Sequence, residues 1–206
     1  MDTVINTHDT ANFFVNQACS YSKQVYHNSI FCLLDETIED NTKNLPTSLR
    51  VIEGVKLATI VYIPKLVTFV AISTFGQAAK IPNYSYTVTI GDALILAPAI
   101  EEIIFRVIFQ NAIQLIQMGM TRAAPDWMKG YTIFQVLTSQ KTRVVVITTL
   151  FAAIHLTNAP ILAANTLALA AVIIIFPSAT LAYERGGFEV SWAAHFTNNF
   201  FCCFFG

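Results

Sequence analysis

Ionisable side chains stand inside stretches of this chain that are otherwise apolar enough to span a membrane. Glu101, Glu102 and Arg106 lie in one such stretch, His155 in a second and His195 in a third. A charge at the bilayer centre costs about 3 kcal/mol even on the mildest insertion scale, so residues of this kind face a bundle interior or a wet cavity and mark a functional site. Because a backbone in lipid must satisfy its own hydrogen bonds, the pattern predicts an all-α fold: a multi-pass transmembrane helical bundle with a buried polar active site.

The distribution of the remaining charge agrees. Hydrophobic residues make up 54% of the chain and charged ones only 12%, against roughly a quarter charged in soluble domains. Residues 1–53 carry Asp2, Asp9, Asp35, Glu36, Glu39, Asp40 and Glu53 with Lys23, Lys43 and Arg50, whereas Val144 to Tyr183 holds no Asp, Glu, Lys or Arg. The chain therefore reads as a polar, mainly cytoplasmic N-terminal segment (1–53) followed by a hydrophobic body. Asn12 to Leu34 is the candidate amphipathic helix of that head, which has neither a spanning run nor the basic-then-apolar start of a signal peptide. The net charge is −1, and no nucleic-acid partner is expected.

Five segments approach the length of about 20 residues that a span needs. They run from Gly54 to Ala79, Asp92 to Met118, Thr142 to Asn158, Pro160 to Tyr183 and Glu189 to Gly206. Asn158-Ala-Pro160 separates the third from the fourth, since proline disfavours helix at the residue before it, and Gly186-Gly187 separates the fourth from the fifth. Pro98 and Pro177 fall inside spans and predict kinks. The first segment (54–79) is a first transmembrane helix and 92–206 forms the core.

Lys and Arg bias orients the bundle. With a cytoplasmic head, Lys23, Lys43 and Arg50 share a side with Arg122, Lys129, Lys141, Arg143 and Arg185, with Lys80 opposite, as the positive-inside rule requires. At about 1.5 Å per helical residue, Glu101, His155 and His195 then reach similar depths near the middle of a core of about 30 Å. Glu102 and Arg106 are four apart and share a helix face, as do His195 and Asn199, while Glu101 is rotated by about 100°. A carboxylate with two histidines can perform acid and base chemistry on water or ligate zinc, and His with Asn can donate to an oxyanion. A Glu–Arg pair can equally be a packing clamp, and a His near an Asn an interhelical bridge. Cys19, Cys32, Cys202 and Cys203 show no zinc-type spacing.

These residues carry a family resemblance. Glu101-Glu102-Ile-Ile-Phe-Arg106 resembles the E-E-x-x-x-R motif of the CPBP intramembrane proteases, the group of the type II CAAX prenyl endopeptidases and the bacterial Abi proteins. Phe151-Ala-Ala-Ile-His155 is similar to its F-x-x-x-H motif and His195-Phe-Thr-Asn-Asn199 to its H-x-x-x-N motif. Tyr183-Glu-Arg-Gly-Gly187 resembles the turn before the third motif. Each is weak alone, and together, in order on separate apolar segments, they are specific.

The resemblance implies hydrolysis of a peptide bond within the membrane. Glu101 would act with His155 to orient and deprotonate a water, His195 and Asn199 would stabilise the oxyanion, and Glu102 with Arg106 would hold the glutamate helix in place. Both metal-dependent and metal-free mechanisms are described for the family. Asn is a poor zinc ligand, which favours a glutamate mechanism without a cofactor; a zinc enzyme would use Glu101, His155 and His195. The expected partners are the lipid bilayer and a membrane-embedded or lipidated peptide, and the expected location is a bacterial inner membrane. The alternatives are a catalytically silent relative serving as an immunity or scaffold protein, and a proton or ion pathway built on the same groups.

Overall fold

The computed structural model describes residues 7–27, 29, 42–78, 91–157 and 164–205. The described residues are helical nearly throughout and contain no strand. Helix α1 (Thr7–His27) occupies the polar head; the end of the expected Asn12–Leu34 helix lies outside the described residues, as do Lys80 and the Asn158-Ala-Pro160 boundary.

Helix α2 (Thr47–Ala78) starts well upstream of the expected Gly54. Pro46 explains the start: its carbonyl accepts the amides of Leu49 and Arg50, each at 3.0 Å, and its missing N–H is no loss where a helix begins. Pro64 lies in the interior of α2, where it deletes one i→i−4 bond.

From Asp92 to Ala123 the chain follows one helical path of changing pitch. A π-helical stretch (Asp92–Leu96) leads into α3 (Ala97–Glu102), a second π-helical stretch (Ile103–Gln110) and α4 (Asn111–Ala123). Leu96, Glu102, Ile103, Gln110 and Asn111 all keep α-region dihedrals, so nothing interrupts the path. The winding changes at Pro98, in the first turn of α3, where the sequence predicts a kink. π-Helical insertions are found mostly at functional sites, and here they flank the two adjacent glutamates.

Two short helices, α5 (Asp126–Lys129) and α6 (Thr132–Leu137), lead to α7 (Gln140–Thr157). Helices α8 (Ala164–Ile175) and α9 (Ser178–Gly186) are separated at Phe176-Pro177, the second predicted kink. Gly187, with φ +81°, turns the chain into α10 (Phe188–Phe205), a conformation that a residue with a Cβ adopts only under strain.

Helix α2 packs between α10 and α8, α7 lies against α8, and α9 packs on α10. The central contact uses small side chains: Ala58, Ala182 and Ala194 are completely buried beside Leu57 and Val190, and a Cβ on Gly54 would overlap the Val190 carbonyl and the Ala193 side chain. Close backbone approach through small residues is the device by which helices associate in lipid. Among the described residues two stretches, Thr47–Thr74 and Leu167–Gly186, are long and apolar enough to cross a membrane, where the sequence predicts five spans.

Candidate active site

The two adjacent glutamates of α3 have different surroundings because one residue step rotates a side chain by about 100°. Glu102 is fully buried, whereas the Glu101 side chain keeps 31% exposure. Arg106, one turn later and also buried, sets Nε 3.4 Å from Glu102 Oε2, the i, i+4 pair that the spacing predicts.

His195 of α10 joins the pair. Its Nδ1 donates to Glu102 Oε1 at 2.9 Å, and its Nε2 lies 3.5 Å from Glu101 Oε2. A carboxylate accepts only, so the hydrogen on Nδ1 is committed to Glu102 and Nε2 is left facing Glu101. Ser191, one turn before His195, brings its hydroxyl against Glu102 Oε2 and within 2.8 Å of the Ala179 carbonyl; its single hydrogen serves one acceptor at a time. Glu102 thus fixes the imidazole on one side and Arg106 on the other.

Phe151 of α7 supports the same groups through its ring. Its face receives the Arg106 guanidinium at 4.9 Å from the centroid, a cation–π contact. It meets His155 and His195 edge to face at centroid distances of 4.6 and 5.6 Å. His155 Nδ1 bonds the Phe151 carbonyl at 2.8 Å, which directs the other ring nitrogen away from its own helix. His155, His195, Asn199 and Arg106 line one cavity of about 280 Å³ whose walls are otherwise mostly apolar, a form typical of ligand sites.

All six residues singled out in the sequence therefore stand at or beside this cavity. Glu101 approaches His195, and Glu102 binds His195 and Ser191 besides Arg106. Among the described residues no three of His, Cys, Asp and Glu are grouped to hold a metal ion. Nδ1 of each histidine is engaged, by the Phe151 carbonyl and by Glu102, which leaves Nε2 of each ring for another partner.

Three features escaped the sequence reading. Lys65, inside the apolar α2, donates to Ser178 Oγ at 2.6 Å and to Asn198 Oδ1 at 2.9 Å on the wall of the same cavity. A lysine in the middle of an apolar span is itself the signal that would have found it. Ser191 sits at i−4 from His195, on the face that the H-x-x-x-N spacing already defines. The third is a second buried ion pair, Arg143–Glu184, between α7 and α9; residues 41 positions apart on different helices leave no spacing to read.

An apolar helical scaffold that holds carboxylates and imidazoles against an apolar cavity defines a class of protein equipped for acid and base chemistry on an apolar ligand. The comparison with known families is more specific: residues 83–201, more than half of the chain, match the model of the type II CAAX prenyl endopeptidase Rce1-like family. The chain belongs to that family, one of membrane-integral CAAX-type peptidases. No curated protein and no solved structure matches it.

Proposed function

We propose that this chain is an intramembrane endopeptidase that hydrolyses a membrane-anchored or lipidated peptide through a water activated by Glu101. The observation that carries the reading is the bridging of both glutamates by His195 at the wall of an apolar cavity. Glu101, the more exposed of the two carboxylates, takes a proton from water oriented with His155. His195, held by Glu102 through Nδ1 and donating from Nε2, and Asn199 stabilise the tetrahedral oxyanion, a contribution worth about 3 kcal/mol per donor in comparable sites. Arg106 holds Glu102 in place, and no step is routed through a metal.

A multi-pass bundle is part of the same proposal. Ile103, Val107 and Ile108 of the π-helical stretch, Leu115 and Ile116 of α4, and Ile154 of α7 all point outward, an apolar surface of the kind that soluble monomers rarely present. Residues 54–79 then add a transmembrane helix to a core running from 92 to 206. The cytoplasmic N-terminus is supported by Arg185, which donates to the His27 carbonyl at 2.8 Å and so keeps one end of α9 beside the head. A bacterial inner membrane is the proposed location.

The test is cleavage of membrane-anchored and prenylated peptides by purified protein in lipid, read by mass spectrometry for wild type, Glu101→Gln and His155→Ala, with and without chelator. Cleavage that survives chelator and disappears in both variants is expected. Loss to chelator with recovery on added zinc would replace the metal-free mechanism, and cleavage indifferent to both substitutions would remove the site.

A further inference from the structure

A second cavity, of about 270 Å³, opens between α4, the end of α6 and the start of α7, and the proposed hydrolysis does not use it. Its α4 wall includes Gln114, Gln117, Thr121 and Arg122, spaced i, i+3, i+7 and i+8 and so on a single stripe of the helix. Thr138 and Arg143 complete the polar lining, which holds two cations and no acid. Arg143 is balanced by Glu184, whereas Arg122 is in no ion pair among the described residues. The hydroxyl hydrogens of Thr121 and Thr138 go to the Gln117 and Phe134 carbonyls, each at 2.8 Å. Gln117 Nε2 is likewise spent on the Leu137 and Ser139 carbonyls. The donors left to a ligand are the Arg122 guanidinium, the Gln114 amide and the two N–H groups of Arg143 that Glu184 and Gln117 do not take.

We infer that this cavity binds the phosphate of an anionic phospholipid through Arg122, with Arg143 and Gln114 as further donors. An unbalanced guanidinium in a lining without acids commits the site to an anion, and the planar fork of arginine matches phosphate. A zwitterionic headgroup would bring its own cation to a wall that offers it no carboxylate, since Glu184 already holds four donors. The surroundings make the anion a lipid. Leu115 and Ile116 are largely exposed on α4 beside the polar stripe, and Trp127, Tyr131, Ile133 and Val136 are exposed on the segment that leads to Thr138. Apolar surface of this extent suits acyl chains. Trp127 and Tyr131 meet edge to face at 6.0 Å between centroids, and such rings gather at the membrane–water boundary, where headgroups lie. Arg122 stands in the last turn of α4, beside them in sequence. Size agrees as well: a water takes up about 30 Å³, so the cavity has room for a phosphate with part of its glycerol. A phosphate held there would join α4 to α7, the helices that Gln117 and Arg143 already connect. Only the membrane-integral character of the family is needed for this site, not hydrolysis.

The experiment uses the purified full chain in a neutral detergent, titrated with phosphatidylglycerol or with phosphatidylcholine of the same acyl length, and bound lipid is counted by native mass spectrometry. Phosphatidylglycerol should bind about tenfold more tightly than phosphatidylcholine, the scale of one charge-assisted hydrogen bond. Arg122→Gln, at an exposed position, should reduce phosphatidylglycerol to the phosphatidylcholine level. Lys141→Gln removes another cation near the start of α7, outside the cavity lining, and should leave the preference intact. Equal binding of the two lipids by wild type, which needs no variant to fold, would overturn the inference, as would a preference that survives Arg122→Gln. A preference that Lys141→Gln removes as fully as Arg122→Gln would reduce it to diffuse surface charge and overturn it too. Inorganic phosphate that displaces phosphatidylglycerol at equal concentration would assign the cavity to a soluble anion, with the same consequence.

Discussion

Two buried carboxylate–guanidinium pairs in this protein are made of the same groups and differ in how fully they are saturated. Glu184 receives four donors: Arg143 Nε and Nη2 at 2.7 Å each, Gln110 Nε2 at 2.6 Å and Gln140 Nε2 at 2.9 Å. Arg143 Nη1 passes on to Gln117 Oε1 at 2.8 Å, and Gln117 Nε2 reaches the Leu137 and Ser139 carbonyls. Every strong site on the carboxylate is used, and the network ties the second π-helical stretch, α4, α7 and α9 together. The Glu102–Arg106 pair is different. It is completed by a histidine whose second nitrogen faces the half-exposed Glu101, and its arginine lines the cavity. A saturated buried pair can only hold a structure, whereas a pair with unused valence beside a cavity can move a proton. On the proposed reading the first is the frame and the second belongs to the site.

The contrast is tested most strongly by Glu101→Gln, which removes the proposed base while keeping size and shape. The rate constant for peptide cleavage should fall by about a thousandfold, the scale of a lost general base, with the melting temperature of the detergent-solubilised protein unchanged. Next in size is Arg143→Leu. It strands a buried carboxylate and should lower unfolding stability by about 3–5 kcal/mol, read by denaturation in mixed micelles; adding Glu184→Leu should restore part of that loss.

Packing supplies the intermediate effect. Gly54→Ala places a methyl against the Val190 carbonyl and the Ala193 side chain, so α2 and α10 must separate, a change worth about 1–3 kcal/mol and visible in the melting temperature. Ser191→Ala takes one hydrogen-bond partner from Glu102, a loss of about 1 kcal/mol. Because Ser191 positions the pair without reaching the cavity wall, kcat should drop severalfold with KM unchanged and the melting temperature lowered only slightly; that loss of stability with kcat unchanged would make it a packing residue. The smallest effect belongs to Arg50–Glu189, a partly exposed pair at 3.2 Å between α2 and α10. Glu189→Gln should change stability by less than about 1 kcal/mol and only at low salt.

The sequence reading succeeds where the chemistry is local to a helix and is blind where it is shared between helices. The Glu102–Arg106 pair follows from a spacing of four, and the breaks at Pro177 and Gly187 follow from residues that cannot donate or that need positive φ. His195 could be expected near the glutamates from depth alone. The particular partner it takes could not, since a one-residue rotation decides whether Glu101 or Glu102 accepts from Nδ1. Lys65 was hidden by the apolar residues around it, which let α2 read as an ordinary span. Arg143 and Glu184 were hidden by their separation: Arg143 looked like one more cytoplasmic charge, and Glu184 like part of a turn, until the fold buried them against each other.

The division between frame and site is tested most directly by preparing Glu101→Gln and Glu184→Gln side by side in the same lipid and measuring cleavage rate and melting temperature for each. The account predicts that Glu101→Gln loses cleavage and keeps its melting temperature, while Glu184→Gln melts lower and, below its transition, still cleaves. Cleavage retained by Glu101→Gln, or lost in a folded Glu184→Gln with an unchanged melting temperature, would contradict it.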